Sequence, residues 1–278
     1  MPSRLALVGL LGLFLLAGCS MTAETTADDP GVTPASVPDV DEQAAGAENV
    51  RVPGIYDDEV VDVVDLAAAH RQALAGRTYR VRETLFWTST GAQARDLQSE
   101  RVATTWYVDG EVRTHNRTRI QSFIDDPRQI RRTNTSTFRL GERRVVRTER
   151  NGTVSYDVES ADTISGRVRD NTTRAVRQLL ELRNTTTETI QWRGESHLLV
   201  TGRGSEHPLF AVTNDYTVRA IVQSDGLVRR LSVSYNESGL GRRRTTEYTF
   251  ALDLADNRTI QRPEWVGTAL NRTDTGGD

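Results

Sequence analysis

"TYRVRETLFW", residues 78–87, sets Tyr79, Val81, Leu85 and Trp87 in alternation with Arg80, Arg82 and Thr84. A period of two places the apolar set on one face of a strand and the polar set on the other. "VATTWYV" at 102–108 repeats the pattern with Val102, Thr104, Trp106 and Val108, and Asp109-Gly110 then turns the chain back through "EVRTHNRTRIQS". Similar runs predict strands near 135–141, 144–150, 153–159, 187–193, 196–202, 215–224, 227–236 and 242–253, with a short last strand before "RPEWV". Asn151-Gly152 and Asp225-Gly226 supply further hairpin turns, whose left-handed backbone suits Asn, Asp and Gly. Such turns are too short for crossovers, so the strands pair antiparallel. A sheet of about eleven strands tends to curl. The expected fold class is therefore mainly β (α+β), a wide curved antiparallel sheet or half-open barrel with two covering helices.

The first helix is predicted ahead of residue 78. Asp57, Asp58 and Glu59 put negative charge in its first turn, and Gly76 closes it beside Arg71 and Arg77. Val60, Val63, Val64, Ala67 and Leu74 share a face at helical spacing, with His70 on its flank as a core-packing histidine. The second, "RDNTTRAVRQLLELRN" at 169–184, carries Val176, Leu179, Leu180 and Leu182, with Asp170 as the expected N-cap.

The N-terminus sets location. Arg4 precedes an apolar run from Leu5 to Ala17, too short to span a bilayer but typical of a secretory signal. Cys19 is the only cysteine, so the folded domain has no disulfide. Residues 1–18 are expected as a signal peptide, 19–54 as an acidic disordered stalk, 55–267 as the half-barrel domain and 268–278 as a flexible tail. The stalk has no aromatic residue before Tyr56 and too little apolar surface to offset the entropy of ordering. One lipid chain holds a bilayer only marginally, so anchoring needs a second chain or contact.

All 35 basic residues are arginine, a composition that GC-rich genomes selected against lysine produce, as in halophilic archaea. The formal charge of −3 hides an asymmetry, because residues 20–65 hold twelve acidic groups and one arginine while the body is basic. An exported protein rarely meets nucleic acid, so no nucleic-acid partner is expected. The arginine runs at 131–132, 143–144, 229–230 and 242–244 read as solvated strand ends, with contact to anionic lipid headgroups as the lesser alternative. Asn116, Asn134, Asn151, Asn171, Asn184, Asn236, Asn257 and Asn271 all head Asn-x-Ser/Thr sequons. Chance would give about two, so the excess predicts N-glycosylation at the cell surface.

Leu16-Ala17-Gly18-Cys19 resembles the lipobox of bacterial and archaeal lipoproteins, whose signal is cut before the cysteine and whose thiol carries lipid. With "DLAAAHRQALAGRTYRVR" at 65–82, "SDGLVRRLSVSY" at 224–235 and "RPEW" at 262–265, the chain resembles a haloarchaeal lipoprotein family. The order of elements is similar to the lipoprotein-carrier fold of the LolA and LolB type, in which helices lid a half-open barrel. That resemblance implies an acyl-chain gap between lid and sheet. Here Val81, Leu85, Trp87, Trp106, Leu179, Tyr248 and Phe250 would line it.

No catalytic or cofactor motif accompanies these features. His70, His115, His197 and His207 are scattered without metal-ligand spacing. "GESHL" at 194–198 lacks the closing glycine of a nucleophile elbow, and "GRGSEH" at 202–207 lacks the third glycine of a dinucleotide loop. Asp125-Asp126-Pro127 reads as a turn. The expectation is a non-enzymatic, monomeric, lipid-anchored N-glycoprotein on the extracytoplasmic face of the membrane, with no cofactor and no metal. It would bind or carry an apolar ligand, a lipid or lipoprotein acyl chain. The alternative is a structural or interaction module of the envelope with a dry core, meeting a surface-layer protein.

Overall fold

The computed structural model describes residues 51–56, 59–60, 62–90, 97–109, 111–126, 128–161, 164–182, 184–205, 213–239, 242–255 and 260–274. Cys19, the signal segment, the stalk up to residue 50, His207 and Asn257 lie outside the described residues. In chain order the elements are β1 (Ile55–Tyr56), β2 (Glu59–Val60), α1 (Val63–Ala73), β3 (Thr78–Thr90), β4 (Leu97–Asp109), β5 (Glu111–Phe123), β6 (Ile130–Leu140), β7 (Arg143–Arg150) and β8 (Thr153–Ser160). They continue with α2 (Ile164–Leu179), β9 (Thr185–Trp192), β10 (Glu195–Gly204), β11 (Thr213–Val222), β12 (Val228–Gly239), β13 (Arg242–Leu254) and α3 (Glu264–Asp274).

Strands β3 to β13 form one eleven-stranded antiparallel sheet in the order β8-β7-β6-β5-β4-β3-β13-β12-β11-β10-β9, open at both edges. Two meanders run outward and meet at the β3–β13 seam. Helix α2 leaves one edge and delivers the chain to the other. Ten strand spacings would separate flat edges by about 48 Å. Sixteen helical residues reach only about 24 Å, so the connection is short for a flat sheet and suits a curled one.

Directly opposed residues share a face, so the register divides the sheet. On one face Tyr79, Val81, Phe250, Leu252, Leu231, Val218, Ala220 and Val200 pack against Leu66, Ala67 and Leu74 of α1 and Val168, Val176 and Leu180 of α2. The other face is covered at the β6–β8 end, where Phe138, Val145, Tyr156 and Val158 meet Trp265, Val266, Ala269 and Leu270 of α3.

Both predicted helices start elsewhere than expected. Asp57–Glu59 is not the first turn of α1, since β2 takes Glu59 and Val60. Asp62 caps the helix instead, its Oδ1 accepting from the N–H groups of Val64 and Asp65 at 2.9 and 3.0 Å. The buried face therefore runs through Leu66, Ala67, His70 and Leu74, and Val64 is 53 % exposed. Helix α2 begins six residues before Asp170, which lies within it and pairs with Arg71 of α1 at 3.4 Å rather than capping.

One expectation at the C-terminus is corrected. Residues 268–274, expected in a tail, complete a helix that starts at Glu264. Much of the short strand expected before "RPEWV" falls on 256–259, which lie outside the described residues. Pro263 cannot continue a ladder but suits a helix start, and the spacing of Trp265, Val266, Ala269 and Leu270 gives one apolar stripe.

Candidate functional site

The seven residues expected to line an apolar gap share one side of the sheet with α2. Val81 and Phe250 are fully buried in the core, and Trp106, Leu179 and Tyr248 pack against the same cluster. Trp87 is buried and Leu85 half-buried further along β3. Their polar atoms are spoken for. Glu83 accepts from the Trp106 indole N–H at 3.3 Å and the Tyr248 hydroxyl at 3.2 Å. Burial raises the Glu83 carboxyl, and those two hydrogen bonds pull it back in part. Trp87 donates to Glu100 at 3.2 Å, and Arg119 pairs with the same carboxylate at 2.9 Å. The Tyr216 hydroxyl donates to the Leu179 carbonyl at 2.7 Å, satisfying one orphan group at the end of α2. The interior next to the helices is thus occupied by its own side chains.

The opposite face holds a cavity of about 700 Å³ that strand alternation produces directly. Arg80 and Arg82 of β3 point away from Tyr79 and Val81, and Arg80 stands opposite Asp253 of β13 and Tyr107 of β4. Arg80 Nη2 and Arg82 Nη2 reach Asp253 Oδ2 at 2.8 and 3.0 Å, and Arg193 Nη1 reaches Oδ1 at 3.2 Å. Partial burial pushes the Asp253 carboxyl up, but hydrogen bonds from Arg80 and Arg193 and the charge of Arg82 outweigh it and hold it below its usual range.

Arg193 arrives from a two-residue turn between β9 and β10, with φ of 56° followed by Gly194 at 81°. Both residues of such a turn need positive φ, which Asn or Gly adopts far more readily than arginine. Its guanidinium also lies 4.5 Å from the centre of the Trp192 ring.

The doublet Arg229-Arg230 is not the solvated strand end it was expected to be. Both are half-buried beside this group, where the β11–β12 register shifts between Ile221 and Val222. Burial lowers both arginines, and the Arg193 charge lowers them further.

His70 and His197 behave as structural groups. His70, fully buried, accepts the Val228 N–H at Nδ1 at 3.2 Å, as its expected core role requires. His197 is buried edge-on to Trp192 with ring centroids 5.2 Å apart. "GESHL" is a hairpin turn entering β10, not a strand-to-helix elbow. Of the sequons, Asn116, Asn151, Asn171, Asn184 and Asn271 are exposed, whereas Asn134 and Asn236 are half-buried.

No family model and no curated protein matches the chain. Among solved structures it is similar to a beta-barrel-like protein of domain of unknown function DUF1849 from Brucella abortus, at 9 % identity and a TM-score of 0.27 over 65 % of this chain and 98 % of that one. It is also similar to a DUF1329 family protein from Desulfovibrio piger, at 11 % identity and a TM-score of 0.21 over 73 % and 95 % of the two chains.

Proposed function

We propose that the chain is an exported, lipid-anchored and N-glycosylated envelope domain that acts by binding and performs no catalytic step. Its helix-covered face serves as a packed scaffold and its opposite face as the working surface. The observation that carries this reading is the complete burial of Val81 and Phe250, with Leu179 packed on the same cluster, where an acyl-chain gap would have to open. The cavity around Asp253 faces the other way. The Leu16–Cys19 segment supports the anchor, and the exposure of five sequons supports glycan attachment.

A second reading, an apolar ligand carried on the helix-covered face, is favoured by the half-buried side chains of Leu85, Trp106 and Tyr248 at the margin of the packed cluster. Native mass spectrometry of protein extracted from its own membranes separates the two. The first reading expects a lipid-modified Cys19 and no bound lipid that depends on Trp106. A stoichiometric lipid that disappears in Trp106→Ala would establish the second reading in its place. Cys19→Ser should release the protein to the medium or leave an uncut precursor, and unchanged membrane retention would remove the anchor.

A further inference from the structure

Five guanidinium groups, from Arg80, Arg82, Arg193, Arg229 and Arg230, gather near the carboxylate of Asp253, whose side chain is only 18 % exposed, while Glu195 and Arg77 act on Arg229 with opposite signs. Three features there work against stability. Arginines are half-buried among like charges, which desolvation and repulsion both oppose. Nε and Nη1 of Arg229 and Nε of Arg80 are buried with no hydrogen-bond partner among the described residues. Arg193 holds a left-handed backbone at a turn where Asn or Gly would be relaxed. Unsatisfied groups and backbone strain concentrated at one place are marks of a site.

The geometry points to a binding site for a phosphate-type oxyanion, a phosphate or sulfate ester whose remaining part is partly apolar. Asp253 takes one edge of the Arg80, Arg82 and Arg193 guanidiniums and so fixes all three in direction, while each fork keeps further N–H donors. Arg82 and Arg193 are 47 % and 56 % exposed at the side chain, and both line the cavity, so their free donors are open to a ligand. Guanidinium forks match phosphate and sulfate oxygens in a bidentate way. Donors arriving from β3 and from the β9–β10 turn outnumber what the two oxygens of a carboxylate can accept, which favours a tetrahedral group. A dianion would also offset the surplus of positive charge that Asp253 and Glu195 leave. Tyr107 and Thr114 add hydroxyls to the wall, and Leu254, Ala255 and Ile260 add apolar surface beside it. A bare inorganic ion would leave that surface and most of the 700 Å³ unused.

This inference goes beyond the function proposed above and needs neither the anchor nor the glycans. It is tested by calorimetric titration of the full-length protein in neutral detergent at low salt with inorganic phosphate, glycerol phosphate, dihexanoyl phosphatidic acid and, as a neutral probe, dihexanoylglycerol. Saturable one-to-one binding of a phosphate-bearing probe is expected, with no binding of dihexanoylglycerol. Arg82→Gln combined with Arg193→Gln should weaken it at least about tenfold. Arg117→Gln combined with Arg131→Gln, in a separate arginine group on β5 and β6, removes the same charge and should leave affinity within about twofold.

Phosphatidic acid binding well above glycerol phosphate would place the anion on a lipid, and equal binding of the two would place it on a soluble ester. The site is refuted if no phosphate-bearing probe binds more tightly than about 1 mM. Equal losses in the two double variants would also refute it, because bulk charge would then explain the binding.

Discussion

His70 is where burial and titration meet most directly. Its Nδ1 accepts the Val228 N–H, and burial lowers its pKa from 6.5 to about 4. Between those two pH values the unfolded chain holds a proton that the folded chain does not. Stability therefore falls as pH is lowered through that window, by an amount on the order of 3 kcal/mol for a displacement of this size. His115, lowered to about 4 by burial and by Arg117 and Arg144, acts in the same direction from a half-buried position. Glu83 opposes both, since a carboxyl raised by burial loses stability as pH rises above its unfolded value. The clean measurement is therefore a difference. His70→Gln keeps an acceptor for Val228 but does not titrate, so its urea midpoint should lie below the wild type at pH 7 and close on it by pH 4.5. A gap that stays constant across that range would show that His70 does not carry the acid sensitivity.

The elements are joined at close approaches that single substitutions can probe. Gly226, at φ 84° in the β11–β12 turn, lies against α1 so tightly that a Cβ would sit 2.4 Å from the Cβ of Ala69. Gly226→Ala should cost about 2–3 kcal/mol and speed hydrogen exchange in α1, because strain and overpacking add. Gly141→Ala shares a positive φ of 60° but meets nothing within 4 Å, so it should cost only about 1 kcal/mol. Equal losses in the two would mean that α1 does not rest on that turn. Helix α3 is tested by Val266→Asp, which buries a charge against Phe138 and Val145. It should destabilise by more than about 3 kcal/mol and raise exchange first in β6–β8.

Most of the sheet was legible because period two, Asn-Gly and Asp-Gly are local signals. The start of α1 was misplaced because three acidic residues at 57–59 imitate a first turn, while the cap that operates is the single Asp62. Helix α3 was missed because its apolar stripe is short and follows a long strand series. The arginine site was not legible at all. Arg193 and Asp253 meet through strand order, which brings β13 beside β3 and the β9–β10 turn to the same end of the sheet, and no local pattern encodes that. Only the doublet Arg229-Arg230 stood out, and composition alone made it look like surface.

At the scale of the whole molecule, one sheet is covered on opposite faces by different helices, α1 and α2 on one and α3 on the other. One edge is also managed. β9 is shielded where the Val60 N–H donates to Thr185 Oγ1 at 2.9 Å. Cover at β9 takes away part of the template on which sheet edges pair. The exposed sequons at Asn116, Asn151, Asn171, Asn184 and Asn271 sit on strands, turns and helices alike, so glycans at these sites would be spread over the surface rather than confined to one loop. Asn236 differs. Its amide donates to Asp215 Oδ2 at 3.1 Å and accepts from the Thr245 hydroxyl at 2.8 Å, so a glycan there would have to displace a cross-strand pair. Peptide mass spectrometry of protein from its own cells should find Asn151 and Asn184 occupied and Asn236 bare. Occupancy of Asn236 with both exposed turn and loop sites empty would mean that modification precedes folding, and that the native surface does not select the sites.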